Sequence, residues 1–300
     1  MVETVNRGQA ILVLGLGLVA ISLASIFIKL CQAPSLVIAA YRLSLASLFY
    51  IVFTRWRQGP ILATFSRPQL QVVLLSGIFL TIHFATWITS LKYTSVASSV
   101  VLVQSAPIFV ALGSALLLGE PPRKRVMLGI AIALAGSIVI SAHDFSLDQR
   151  SVVGNLLAIG GAIGAAGYLL AGRKLRACID IFRYVTVVYS IAAVLLILLA
   201  FGSGLSFLGY RAVDYWLLVA VALIPQVIGH TSINWALKYF SATAVAVIIL
   251  GEPIGASILA LLLLGEKLTL IQIAGGCIIL AGVLITLWGE TTGSKPKKRH

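Results

Sequence analysis

One acid stands alone inside a long apolar stretch. Glu252 follows Val245 to Gly251, precedes Pro253 and is followed by an uncharged, mostly apolar run to Leu264. A bare charge in lipid costs at least ~2.5 kcal/mol on insertion scales, so it faces a cavity, finds a partner or holds a proton. Glu252 could therefore relay a proton or a charge. Pro253 frees backbone carbonyls one turn back, which adds ligand groups and a helix break.

Other polar residues recur at helical spacing. Gln226, His230 and Asn234 stand at i, i+4 and i+8, beside Pro225, so they share one face. Ser76, His83, Trp87 and Ser90 also share a face. Such stripes must look at a cavity or bond to a neighbouring helix. Gln104 and Ser105 stand just before Pro107, at a second helix break. Tyr41-Arg42 lies one to two turns into another apolar stretch. That arginine could snorkel outward, bind a carboxylate, or pair with Glu252. Of the five tryptophans, Trp56, Trp216 and Trp288 read as interfacial belts. Trp87 and Trp235 adjoin the polar stripes and are kept as cavity candidates. Amides and imidazoles would hold a ligand's polar end, and the aromatics its side chain.

The elements that carry these residues follow from composition. The 300 residues are 60% hydrophobic and 10% charged, with a mean hydropathy of +1.06. Soluble chains run about 25% charged. This excludes an ordinary soluble enzyme, a disordered chain and a disulfide scaffold, and predicts an all-α integral membrane protein in a lipid bilayer. Ten stretches reach the ~20 apolar residues of a membrane helix. They are 10–30, 35–54, 69–90, 95–118, 126–142, 152–171, 182–201, 213–236, 241–264 and 268–288. Cys31, Cys178 and Cys277 are too scattered for a disulfide frame. No metal, nucleotide or other cofactor motif is present, so no cofactor is expected.

The formal charge of +13 could point to nucleic acid, but the basic residues fall between the apolar stretches. With the N-terminus inside, fifteen Lys and Arg fall in cytoplasmic loops and five in the opposite ones. The positive-inside rule then places both termini in the cytoplasm, in an inner membrane. The basic tail, 291–300, reads as a segment facing anionic lipid rather than a nucleic-acid binder.

Shifted by 146 residues, the chain matches itself. Leu91-Lys92-Tyr93 lies over Leu237-Lys238-Tyr239, Pro107 over Pro253, and Leu116 to Glu120 over Leu262 to Glu266. Gly129 meets Gly275, and Leu134-Ala135-Gly136 meets Leu280-Ala281-Gly282. The duplication divides the chain into 1–145 and 146–290, five spans each. An odd number of spans inverts the second unit, which predicts two inverted five-helix repeats around a central cavity. Arg123-Lys124-Arg125 aligns with the uncharged Thr269-Leu270-Ile271, as inversion requires. Inverted repeats with a midplane site mark secondary transporters working by alternating access. Glu120 and Glu266 occupy matched positions and read either as paired gates or as solvated helix ends. The run from Gly160 to Gly167 reads as close helix packing.

The blocks from Pro107 to Gly136 and from Glu252-Pro253 to Gly282 resemble the repeat unit of EamA-type proteins. These belong to the drug/metabolite transporter superfamily. The resemblance implies ten helices in two inverted halves and the movement of small metabolites, often outward. Amino-acid exporters, including the aromatic-specific YddG type, are prominent in it. The expected substrate is thus a small molecule, most plainly an amino acid with an aromatic or large apolar side chain. Other metabolites or drugs, such as a nucleotide sugar or an amphipathic cation, remain open on the same fold. An integral-membrane enzyme is the weaker alternative, because no catalytic motif is present. Substrate identity, transport direction, proton coupling and oligomeric state stay open at this point.

Overall fold

The computed structural model describes residues 7–62, 65–90, 93–94, 96–141, 149–265 and 269–291. Among them the chain is all α, and each of the ten apolar stretches is occupied by helix. In chain order these are α1 (Arg7–Leu30), α2 (Ser35–Gln58), α3 (Arg67–Ser90), α4 (Val96–Val103), α5 (Ala106–Leu117), α6 (Lys124–Ser141) and α7 (Gln149–Arg176). There follow α8 (Ile181–Gly202), α9 (Ala212–Val221), a π-helical segment (Ala222–His230), α10 (Thr231–Ala236), α11 (Ala242–Ile249), α12 (Glu252–Leu264) and α13 (Leu270–Thr291). Among the described residues, eight helical stretches are long and apolar enough to cross a membrane. The protein is an integral membrane protein. Leucines such as Leu116 and Leu117, each 73% exposed, form the surface that lipid covers.

Two stretches read as single helices are broken. The fourth parts at Gln104-Ser105, between α4 and α5, and the ninth at Leu250-Gly251, between α11 and α12. The breaks are 146 residues apart, the repeat interval. Proline accounts for both. Pro107 and Pro253 each fall second in the new helix, where a missing N–H costs no intrahelical bond. The same placement puts Glu252 first in α12, where the helix dipole favours negative charge.

The eighth stretch departs differently. Pro225 sits inside a nine-residue π segment. Tyr50 of α2 supports this winding, donating its hydroxyl to Val227 O at 2.9 Å. The i→i+5 winding turns its residues away from regular α register.

The packing repeats under the same shift. The α3 helix packs on α7, and α1 packs on the π segment and α10; α5 packs on α7, and α1 on α12. The α2–α8 and α6–α13 pairs each join matched spans. Four repeat-matched glycines make the α6–α13 crossing. A methyl group on Gly136 would lie 2.7 Å from Gly275 O, and one on Gly275 would lie 2.8 Å from Gly136 O. Gly129 and Gly282 meet in the same reciprocal way. Small residues let the two backbones approach this closely.

The Gly160 to Gly167 run does the same for α7 against α3. A methyl on Gly164 would lie 2.6 Å from the backbone N of His83. The expected packing role of this run thus also fixes where His83 and Trp87 stand.

Candidate functional site

A cavity of about 110 Å³ lies between the two helix breaks. At roughly 10–15 Å³ per water, it has room for several waters or a small ligand. Gln104 and Pro107 border it from the first break, Leu250 and Glu252 from the second. Arg42 of α2, His83, Phe84 and Trp87 of α3, Tyr168 of α7 and His230 complete its polar and aromatic wall.

Arg42 is 1% exposed. Its Nε donates to Gln226 Oε1 at 2.7 Å, and its guanidinium lies 4.6 Å from the Phe84 ring centre. It therefore neither snorkels nor forms an ion pair with Glu252 among the described residues, although both line the cavity. Its Nη2 is buried without a hydrogen-bond partner among the described residues. Glu252 is half-buried, and its backbone carbonyl accepts from Ser22 Oγ of α1 at 3.1 Å.

His83 Nδ1 lies 2.9 Å from Gly161 O. A carbonyl can only accept, so Nδ1 carries a proton and the neutral ring keeps Nε2 as its acceptor. The ring stacks on Trp87 with centroids 5.7 Å apart at 11°. Phe84 packs between His83 and His230, at 5.0 and 5.7 Å.

Several other polar atoms are orphaned here. Among the described residues, Trp87 Nε1, Gln104 Oε1 and His230 Nδ1 are buried with no hydrogen-bond partner, as is Arg42 Nη2. Leaving one such atom unpaired costs about 1–3 kcal/mol. All four belong to residues that line the one cavity, and two of them are donors.

The remaining candidates stand elsewhere. Gln226 does not line the cavity; it holds Arg42 from behind. Asn234 is fully buried, donating to His230 O at 2.7 Å and to the Tyr168 hydroxyl. The stripe of three thus separates, with only His230 at the cavity. Trp235 packs on Tyr239 at 4.5 Å. Tyr41 donates to Phe207 O at 2.8 Å in a separate aromatic cluster. Ser105 donates to Leu102 O at 2.6 Å within its own break. Ser76 bonds to the Tyr184 hydroxyl and Ser90 to Ser99, so only His83 and Trp87 of their face reach the cavity. Pro253, second in α12, is not among the residues lining the cavity. Phe84, Tyr168 and Ser22 were missed. An aromatic on an apolar helix face carries no mark that separates cavity wall from core.

Glu120 makes a double contact at one end of the bundle. Arg173 donates Nε and Nη2 to its two carboxylate oxygens, each at 3.0 Å. Arg173 Nη1 also donates to Leu237 O at 2.8 Å. The ends of α5, α7 and α10 are thereby tied. Its repeat partner Glu266 lies outside the described residues.

Comparison with known proteins gives a family match. The model of the EamA-like transporter family matches residues 8–142 and again 152–288. An uncharacterized transporter of Archaeoglobus fulgidus is 28% identical over 271 residues, 87% of this chain and 91% of the relative. A probable amino-acid metabolite efflux pump of Salmonella typhimurium is 25% identical over 276 residues, 87% of this chain and 88% of the relative. The pseudopaline exporter CntI of Pseudomonas aeruginosa is 25% identical over 215 residues, 71% of this chain and 72% of the relative. One solved structure superposes with a TM-score of 0.82 at 19% identity, over 96% of this chain and 100% of that one, a likeness of fold alone.

Proposed function

The chain belongs to the EamA-like transporter family, and from that premise we propose that it exports amino acids with aromatic or large apolar side chains. It is a membrane transporter of small molecules. The observation that carries the finer reading is the convergence of four orphaned polar atoms on one cavity. Arg42 Nη2 and Trp87 Nε1 are donors suited to a carboxylate. The Glu252 carboxylate on the opposite break suits an ammonium group. Phe84, Tyr168 and the His83–Trp87 stack offer an apolar wall for the side chain. A zwitterion satisfies both charged groups at once, with no net charge to desolvate. Relatives named for the efflux of amino-acid metabolites and of pseudopaline support outward movement of a small polar metabolite.

The mechanism we propose is alternating access between units 1–145 and 146–290. The paired breaks beside Pro107 and Pro253 supply two matched hinges. The Glu120–Arg173–Leu237 contact is a latch across the mouth on its side. The excess of basic residues on that side supports cytoplasmic termini in an inner membrane. Glu252 carries a proton during the return step.

Competition in proteoliposomes tests the reading. Aromatic and large apolar amino acids compete for flux, whereas nucleotides do not; the reverse order excludes an amino-acid substrate.

A further inference from the structure

We propose that the groove between α3, α5 and α7 holds one acyl chain of an anionic phospholipid whose headgroup sits on Lys174. The groove has a volume of about 520 Å³ and lies on the lipid-facing side, away from the central cavity. Its lining is apolar except at one end, where Lys174 closes it. Lys174 is exposed and makes no hydrogen bond or ion pair among the described residues. The reason is local: Arg173, one position earlier, is turned inward to Glu120, so the next residue points away from that contact.

Length supports a single chain in a single leaflet. From Ile163 to Lys174 the groove follows α7 for eleven residue-to-residue steps, which is ~16 Å at the α-helical rise. Half the ~30 Å hydrocarbon core is ~15 Å. An acyl chain lying from Lys174 to Ile163 thus reaches from the headgroup level to the bilayer middle. The rim residue Leu112 is 58% exposed, leaving the groove open to lipid along its side.

Charge selects the headgroup. A second lipid-facing groove, of about 480 Å³ between α2 and α9, has no cationic residue in its lining. Of these two grooves, the one at Lys174 joins an apolar slot to a cation unpaired among the described residues, which is the pairing an anionic phospholipid presents. It also touches α5 and α7, the helices that Glu120 and Arg173 tie together. A bound lipid there braces the latch from outside.

The test is native mass spectrometry of the full chain in detergent. Phosphatidylglycerol and phosphatidylcholine of matched acyl chains are titrated in competition. The wild type retains one phosphatidylglycerol in preference by about fivefold, the worth of one lysine at an anionic surface. Lys174→Gln brings the two lipids to parity. Leu112→Trp, which fills the slot from its exposed rim, loses the retained lipid of either kind. Lys124→Gln, which removes an exposed charge on α6, leaves the preference unchanged. Equal losses in Lys124→Gln and Lys174→Gln would reduce the effect to diffuse attraction and overturn the site, as would lipid retained by Leu112→Trp.

Discussion

Arg42 donates its Nε–H to Gln226 Oε1 at 2.7 Å, and both side chains are almost wholly buried. The guanidinium Nη2 has no hydrogen-bond partner among the described residues, and Arg42 lines the cavity. Glu252, the acid on the same cavity, is not used to neutralise it. A buried cation held by a neutral amide stays available to a carboxylate, whereas one locked to an acid would not.

The first prediction concerns that amide. Gln226→Leu keeps much of the volume and removes the acceptor. A hydrogen bond to a charged group is worth about 1.5–3 kcal/mol, so KM for the transported substrate rises by at least about tenfold. Arg42→Lys does not substitute, because an ammonium lacks the planar fork that serves Gln226 and a ligand together. Initial-rate flux in proteoliposomes measures both.

Glu252 supplies the second. The proton reading makes wild-type flux vary across about pH 5 to 8 and makes an imposed proton gradient accelerate it. Glu252→Gln carries no removable proton, so its flux is flat over that range and indifferent to the gradient. Flux unchanged with pH in both forms removes proton coupling and leaves a uniporter.

A third prediction tests the latch. The Glu120–Arg173 pair is partly exposed, at 38% and 25%, so its worth is of order 1 kcal/mol. Loosening it shifts the balance between closed and open mouths by a few-fold. A cysteine at the cavity residue Leu169, in a background lacking Cys31, Cys178 and Cys277, reports the change. Glu120→Gln speeds its labelling from the Arg173 side, and the swap Glu120→Arg with Arg173→Glu slows it again.

The fourth concerns the α6–α13 crossing. Gly136→Val puts a side chain where Gly275 O stands 2.7 Å away. Overpacking of this kind costs about 1–3 kcal/mol. The melting temperature of the detergent-solubilised protein falls, and Gly275→Val, on the facing side of the same contact, lowers it comparably. Two unequal losses would deny the reciprocal contact.

The architecture was largely legible in the sequence because lipid imposes simple rules. Spans need a fixed apolar length, and the repeat carries its prolines and glycines at matched positions. The cavity was only half legible. His83, Trp87, Gln104, His230, Arg42 and Glu252 stood out as polar or amphipathic residues in apolar stretches, and all reach it. Gln226 and Asn234 did not, because the π winding around Pro225 changes which residues share a face. Phe84 and Tyr168 were invisible, since their chemistry matters only through their neighbours. Tyr41 adjoins Arg42 in sequence but, turned about 100° around the helix from it, packs in a separate cluster.

The most direct test of the account is substrate competition in proteoliposomes with the wild type, His83→Ala and Gln104→Ala. Both residues border the cavity. Saturable flux of an aromatic or large apolar amino acid, competed by its analogues and weakened by both substitutions, is the predicted result. Wild-type rates in both variants, with unaltered competition, would contradict the site.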